Sequence, residues 1–111
     1  MKNNFYITTP IYYVNDIPHI GHAYTTILAD VIARYQRSLD KNVFFLTGLD
    51  EHGQKVQDAA NSNKTDPLSH CNNMSKRFTD LWAKLHISNN DFIRTTQKRH
   101  IKVVQNILNE V

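Results

Sequence analysis

Residues 43–53 read VFFLTGLDEHG, an unbroken run of apolar and β-branched residues that ends in a polar segment. A run of this kind and length is typical of a central parallel strand that is buried on both faces. In open parallel sheets, ligands bind beyond the carboxyl ends of the strands. The stretch therefore predicts a parallel α/β sheet in which residues 43–47 form an inner strand and residues 48–53 form a loop at the ligand-binding edge.

The segment before this strand also combines an extended pattern with a helical one. Residues 5–9 are aromatic and β-branched, which predicts a first strand, and residues 10–18 contain the turn formers that predict a loop. From residue 20 the apolar positions recur every three or four residues. This spacing predicts a helix of about five turns. Its apolar face consists of Ile20, Ala23, Ile27, Val31, Ile32, Tyr35 and Leu39.

The segment after the strand continues the alternation. A short helix is predicted over residues 54–60, and Asp66 followed by Pro67 is a typical start of a third helix. The apolar stripe of that helix consists of Leu68, Cys71, Met74, Phe78, Leu81, Trp82 and Leu85. Residues 91–96 are predicted to be extended, and residues 97–111 to form a fourth helix on Ile101, Val104, Ile107 and Val111. Such an order indicates a Rossmann-type sheet with right-handed crossovers.

Composition sets broad limits on the class of protein. The chain has 111 residues, enough for one domain with a modest core, and a net charge of +3 that is too mild to predict a nucleic-acid partner. No apolar run approaches the roughly 20 residues of a membrane-spanning helix, so no membrane partner is expected. One cysteine and no signal-peptide pattern favour a cytoplasmic location over a disulfide-built secreted domain.

A histidine pair lies at the predicted start of the first long helix, in residues 16–26, DIPHIGHAYTT. His19 and His22 are three positions apart, so both imidazoles lie on one side of the first turn. A helix N-terminus favours phosphate, and Gly21 between the histidines lets a flat base or a phosphate approach the backbone. The pattern therefore indicates a site for a nucleoside triphosphate, with the two imidazoles as candidate catalytic donors to phosphoryl oxygens.

Two other interpretations of the pair stay open on the motif alone. The histidines could form a structural helix start in solvent, or half of a metal site, because His-x-x-His is a nonspecific pattern. Zinc would require distant partners such as His52 to converge, since Cys71 is the only thiol. No metal ligands, and no zinc site, are therefore predicted.

Three sequence blocks resemble one enzyme family. Residues 10–26, PIYYVNDIPHIGHAYTT, closely resemble the HIGH signature of class I aminoacyl-tRNA synthetases, and the flank at residues 8–15 is similar to the methionyl enzymes. Residues 44–53 and 91–96 resemble the second and third blocks of that family. The resemblance implies an incomplete α/β fold, the first half of a Rossmann-type nucleotide-binding domain. Residues 1–111 would form the N-terminal part of the catalytic domain and run into the start of its connective region.

The resemblance also implies an ATP site. The segment from Tyr12 to His22 matches the ATP-binding motif, with Tyr12, His19, Gly21 and His22 as the ATP-binding residues. His19 and His22 would stabilise the transition state as the methionine carboxylate attacks the α-phosphorus. Gly21 would let adenine lie against the backbone. Mg²⁺ is expected to accompany the triphosphate.

A methionine pocket is implied in the same way. Ile11 and Tyr13 match positions that line the methionine side chain, and Asp50 matches the aspartate that pairs with the α-ammonium. From the residues alone, Asp50 could instead cap the helix that follows. No catalytic role is assigned to Glu51 or His52.

Two further expectations concern segments near the blocks. Arg94, in the third block, is expected to be an internal ion-pair partner. Residues 73–77, NMSKR, contain letters of the family's KMSKS signature, but they fit the stripe of the third helix and are predicted to be an ordinary helical face.

The resemblance implies methionine, ATP and tRNA(Met) as partners of the complete enzyme, and association with a missing C-terminal portion. Two alternatives remain for the chain as it stands. One is a truncated, non-catalytic remnant that binds nucleotide or methionine. The other is a small nucleotidyltransferase with a similar HxGH phosphate site, which would not explain residues 8–15 or 48–53.

Overall fold

The computed structural model describes residues 2–111, so Met1 lies outside the described part of the chain. Strands and helices alternate along it, which confirms the predicted α/β class. In chain order the elements are β1 (Asn4–Tyr13), α1 (Ile20–Ser38), β2 (Asn42–Asp50), α2 (Gln54–Ser62), α3 (Pro67–Lys84), β3 (Asp91–Arg94) and α4 (Lys98–Glu110).

The sheet is parallel, with the strand order β1-β2-β3. In its register Tyr13 lies opposite Asp50, and Leu49 lies opposite Arg94. The carboxyl ends of all three strands therefore meet at one edge, where the predicted ATP-binding and methionine-binding residues are found. The arrangement is an incomplete Rossmann-like sheet, as predicted.

The strands extend further than the sequence pattern indicated. The prediction of a loop over residues 10–18 is wrong for its first part, because β1 continues to Tyr13 after a register shift between Thr8 and Ile11. Pro10, which lacks an N–H group, lies within this irregularity, where a strand tolerates it. Residues 48–50 likewise belong to β2 rather than to the loop after it. Ile11, Tyr13 and Asp50 are thus held by the sheet.

The first long helix packs through a different face from the one predicted. Its buried residues are Thr26, Ala29, Asp30 and Ala33. Apart from Ala23, which packs against the core, the predicted apolar face points outward, and Ile20 and Tyr35 are 88% and 60% exposed. Small side chains let the helix approach the sheet closely, whereas periodicity gives most weight to large apolar residues. The stripe of α4 is also uncovered within residues 2–111, since α4 has no buried residue.

The core lies between one face of the sheet and the helices. Its main cluster consists of Tyr12, Val14, Leu49, Val56, Cys71, Phe78 and Trp82. A smaller cluster joins Phe45 to Ala29 and Ala33. Phe45 and Leu49 lie on the same face of β2, because successive side chains alternate. Phe44, on the other face, is 45% exposed, so the prediction that β2 is buried on both faces is wrong for the described residues.

The third helix follows its prediction closely. Asp66 caps it, accepting the Ser69 N–H at 3.0 Å, and Pro67 is its first residue. Cys71, Phe78 and Trp82 from the predicted stripe are buried. The KMSKS-like residues 73–77 lie inside this helix, and Met74 packs against the core.

Candidate functional site

The histidine pair forms a reciprocal cap at the start of α1. His19 is the N-cap residue, and its Nδ1 accepts the N–H of Gly21 at 3.0 Å. The N–H of His19 donates in turn to Nδ1 of His22 at 3.1 Å. The two rings stack with their centroids 3.8 Å apart. The arrangement resembles a capping box in which imidazoles replace the usual hydroxyl and carboxylate.

This cap fixes the tautomer of both imidazoles. A neutral imidazole has one donor and one acceptor nitrogen, so a ring that accepts at Nδ1 carries its proton on Nε2. Burial lowers the pKa of His22 below its ordinary value of 6.5, the neighbouring His19 lowers it further, and Asp16 raises it. At neutral pH His22 is therefore an uncharged N–H donor. Because the cap uses only Nδ1, the Nε2–H groups of both rings remain available to a ligand.

Tyr12 packs its ring against the imidazole of His22. Its hydroxyl shares a hydrogen bond of 2.9 Å with Thr26 Oγ1, and its ring centroid lies 4.7 Å from that of His22. Phe78 meets the same imidazole edge-on at 5.2 Å. The structure thus places Tyr12, a predicted ATP-binding residue, in the core with its ring against His22.

The structure shows why a glycine is needed at position 21, which was not apparent from the sequence. A Cβ atom at this position would lie 2.9 Å from Cε1 and 3.1 Å from Nδ1 of His19. A side chain would therefore push on the imidazole that caps the helix. The absence of a side chain makes room for the cap, and the approach of a ligand to this backbone stays a prediction.

A cleft of about 320 Å³ brings together the predicted ATP-binding and methionine-binding residues of β1 and the start of α1, with the exception of Gly21. Its lining residues are Ile11, Tyr12, Tyr13, Asn15, Asp16, His19 and His22. Tyr13 also lines a neighbouring cleft of about 220 Å³ beside His52 and Gly53. Asp50 lines neither cleft but is the register neighbour of Tyr13. A larger cleft of about 620 Å³ lies elsewhere, between residues 63 and 80.

Asp50 lies at the carboxyl end of β2, where its side chain folds back onto the loop. Its Oδ1 accepts the N–H of His52 at 3.2 Å and lies 3.5 Å from Thr95 Oγ1. Within residues 2–111 its Oδ2 has no hydrogen-bond partner. Helix α2 has Gly53 as its N-cap and no side-chain cap bond, so the alternative that Asp50 caps this helix is wrong.

The next residue, Glu51, is the functional candidate that the sequence missed. Its side chain is completely buried. Arg94 Nε lies 2.9 Å from both of its carboxylate oxygens, and Thr96 Oγ1 donates to Oε1 at 2.6 Å. A buried carboxylate requires such partners. The prediction that Arg94 is an internal ion-pair partner is confirmed, but the buried partner that it serves lies 43 positions away in the chain.

The described part of the chain offers little to a metal ion. Among residues 2–111 no group of three or more His, Cys, Asp or Glu side chains could hold one. Burial raises the pKa of the Cys71 thiol to about 11, so the sulfur stays protonated at neutral pH. Within the same residues no helix is long and apolar enough to cross a membrane.

Comparison with known sequences identifies the family. The model of the class I tRNA synthetases (M) matches residues 5–111. The chain is 60% identical over 104 residues to the methionine–tRNA ligase of Rickettsia typhi, covering 94% of the chain and 20% of that protein. It is 59% identical over 101 residues to the Thermotoga maritima ligase, covering 91% of the chain and 16% of that protein. The chain thus spans about one fifth of the length of such relatives.

Comparison with solved structures agrees. Mycobacterium tuberculosis methionyl-tRNA synthetase in complex with methionyl-adenylate superimposes with a TM-score of 0.87 at 43% identity, covering 88% of this chain and 19% of that one. Agrobacterium radiobacter LeuRS, in a ternary complex with tRNA and LeuAMS, shares the fold with a TM-score of 0.88 at 19% identity, covering 98% of this chain and 15% of that one. The chain therefore belongs to the methionyl group of the class I tRNA synthetases.

Proposed function

We propose that this chain supplies the HIGH-type ATP site and part of the methionine site of a methionine–tRNA ligase. The observation that carries the proposal is the reciprocal cap of His19 and His22, which share one cleft with Ile11 and Tyr13. The ligases of Rickettsia typhi and Thermotoga maritima support the assignment by their names and their identity to the chain.

The first reaction would be methionine activation. An oxygen of the methionine carboxylate forms a bond to the α-phosphorus of ATP. The bond from that phosphorus to the bridging oxygen breaks, and pyrophosphate leaves with the electron pair. Nε2–H groups of His19 and His22, together with the N-terminus of α1, would donate to phosphoryl oxygens as negative charge develops. The product, methionyl-adenylate, is the molecule bound in the Mycobacterium tuberculosis structure.

Methionine would lie beside the ends of β1 and β2. Ile11 and Tyr13 are partly exposed and can contact the methionine side chain. Tyr12 packs against the ring of His22. The Asp50 carboxylate, at the level of Tyr13, would bind the α-ammonium through a charge-assisted hydrogen bond. Chemistry at this site is positioning and electrostatic stabilisation, with no covalent enzyme intermediate.

The second reaction would transfer the methionyl group to the terminal ribose of tRNA(Met). Since the chain spans about one fifth of its relatives, the rest of a complete enzyme would supply a KMSKS-type loop and the tRNA-binding parts. Mg²⁺ would enter with the triphosphate, because it prefers phosphate oxygens and water to an all-protein cage. We propose a cytoplasmic location, because a free thiol such as that of Cys71 stays reduced in that compartment.

Amino-acid-dependent ATP–pyrophosphate exchange tests this function. We suggest a chimaera in which residues 5–111 replace the matching segment of the Thermotoga maritima ligase. Exchange with methionine alone among the amino acids, slowed about 10²–10³-fold by His22→Ala, is the expected result. An undiminished exchange rate in His22→Ala, or exchange that responds to another amino acid, would contradict the proposal.

A further inference from the structure

A line of hydrogen bonds connects the buried Glu51–Arg94 pair to Asp50, and Thr95 lies in the middle of it. Thr95 is 5% exposed, and its Oγ1 accepts the N–H of Glu51 at 2.8 Å. The same oxygen lies 3.5 Å from Asp50 Oδ1. The main chain of Thr95 is fixed as well, because its N–H donates to the carbonyl of Leu49 at 3.2 Å.

The direction of these bonds follows from the chemistry of a hydroxyl. Thr95 Oγ1 receives the Glu51 N–H on a lone pair, which leaves its own proton for an acceptor. Asp50 Oδ1 is the acceptor within reach. The Thr95 hydroxyl thus donates to Asp50 Oδ1 from the end of β3, and the His52 N–H donates to the same oxygen from the loop after β2.

The ion pair holds Thr95 in this place from both sides. Arg94 and Thr96 are its chain neighbours, and both bind the Glu51 carboxylate. A second anchor joins the segments, since His52 Nε2 lies 3.3 Å from the Thr95 carbonyl oxygen. Arg94 is tied onward to α3 through Asn72 Oδ1 at 2.7 Å. The end of β3 is therefore locked to the end of β2.

We propose that Thr95, held by the Glu51–Arg94 pair, is a positioning residue for Asp50. This inference rests on the proposed role of Asp50 in binding the α-ammonium of methionine. The His52 N–H at 3.2 Å and the Thr95 hydroxyl at 3.5 Å both approach Oδ1 and together restrict the rotamer of the Asp50 side chain. Oδ2 is then presented to the ammonium in one orientation, so binding does not have to order the carboxylate.

The test is carried out in the Thermotoga maritima chimaera with two ligands that differ only in the ammonium group. The first is methionine, measured by its KM in ATP–pyrophosphate exchange. The second is 4-(methylthio)butanoate, which lacks the α-amino group, measured by its Ki. The ratio of the two constants reports recognition of the ammonium and is insensitive to a general loss of folded protein.

Thr95→Val, which keeps the shape and removes the hydroxyl, is expected to raise the KM for methionine about tenfold with the Ki and kcat little changed. Thr95→Ser keeps the hydroxyl and should restore the ratio. Thr79→Val is the matched control, because the Thr79 hydroxyl donates to the carbonyls of Ser75 and Lys76 within α3. It should leave the ratio unchanged, whereas Thr96→Val removes one of the bonds that hold Thr95 and should shift the ratio by less than Thr95→Val does.

An unchanged ratio in Thr95→Val, with a ratio that changes in Asp50→Asn, would overturn the positioning role alone. An unchanged ratio in Asp50→Asn would instead refute the ammonium assignment and the inference with it. If Thr95→Val does not fold, Arg94→Lys replaces it. That variant keeps the charge but loses the geometry that serves both Glu51 oxygens, so it should shift the ratio in the same direction by a smaller factor.

Discussion

The two sides of the candidate site are built in different ways. At the start of α1, the hydrogen bonds that orient the histidines all lie within residues 19–22, and the cap is exposed. At the end of β2, Glu51 is fully buried and is held by Arg94 and Thr96, more than 40 positions away. Asp50 accepts the nearby His52 N–H and lies 3.5 Å from the distant Thr95 hydroxyl. Local hydrogen bonds thus organise the histidine side, where Tyr12 and Phe78 add ring contacts to His22, and bonds between distant segments organise most of the other side.

The difference matches the charges that each side would meet. Phosphate chemistry develops negative charge only in the transition state, and neutral N–H donors held by a cap are suited to it. An α-ammonium carries its charge permanently, so the residue that binds it needs a fixed carboxylate. Substitutions on the two sides should therefore have separable effects on stability and on the reaction.

Removal of the cation that pairs with the buried Glu51 carboxylate should reduce stability more than any other proposed substitution. Arg94→Ala leaves the Glu51 carboxylate buried without its charged partner, which is expected to cost about 3–5 kcal/mol in the free energy of unfolding. The exposed pair Lys76–Asp80 is the matched control, and Lys76→Ala should cost less than about 1 kcal/mol. Urea unfolding of the chain measures both. Similar losses of unfolding free energy in the two variants would show that the Glu51–Arg94 pair contributes no more to stability than an exposed pair does.

Removal of one catalytic imidazole should act on the reaction instead. His22→Ala in the chimaera is expected to slow adenylate formation by about 10²–10³-fold, a typical cost of one lost transition-state donor. The KM for methionine should change little. Single-turnover kinetics measures this, with His100→Ala on α4 as a histidine control outside the cleft. Equal losses in methionine binding and in rate would contradict a transition-state role.

The cap and the chemistry of His19 can be separated by two substitutions. His19→Ala removes the acceptor for the Gly21 N–H and should lower the unfolding free energy by about 0.5–2 kcal/mol. His19→Asn keeps a good N-cap acceptor and should retain stability while adenylation is still slowed. Thermal unfolding and exchange rates of the two variants provide the comparison. A stable but fully active His19→Asn would show that the imidazole serves only as a cap.

The pKa of His22 should change by a modest amount. Burial, and then the neighbouring His19, lower the pKa of His22 below 6.5. NMR titration should therefore give a pKa below 6.5 for His22 in the unsubstituted chain and a higher pKa in His19→Asn. Because the folded pKa lies below the unfolded one, protonation opposes folding. The contribution of His22 to stability is then present above about pH 6.5 and is lost as the pH falls through the lower folded pKa. A pKa of His22 at or above 6.5 would contradict the account.

The sequence predicted the local side of this molecule well. The start of α1 followed from the apolar periodicity that begins at Ile20, and the Asp66–Pro67 start of α3 followed from capping preferences that act within one turn. The order of strands and helices followed from periodicity and strand length. These features depend on residues close together in the chain.

The features that escaped prediction depend on tertiary contacts. α1 buries Ala29 and Ala33 instead of its large residues, because its distance from the sheet is set by packing. Glu51 received no role because its partners come from a strand 43 or more positions later. The histidine pair and the helix start were both predicted, but only the structure shows that Nδ1 of His19 and of His22 each accept a backbone N–H.

We infer that each imidazole uses Nδ1 for the cap and retains Nε2–H for phosphate. Nitrogen NMR of the ¹⁵N-histidine-labelled chain at neutral pH tests this tautomer assignment, because protonated and unprotonated ring nitrogens have distinct shifts. We expect His19 and His22 to show a protonated Nε2 and an unprotonated Nδ1, with ATP shifting the Nε2 signals. A proton on Nδ1 of either ring would contradict the cap and the catalytic role derived from it.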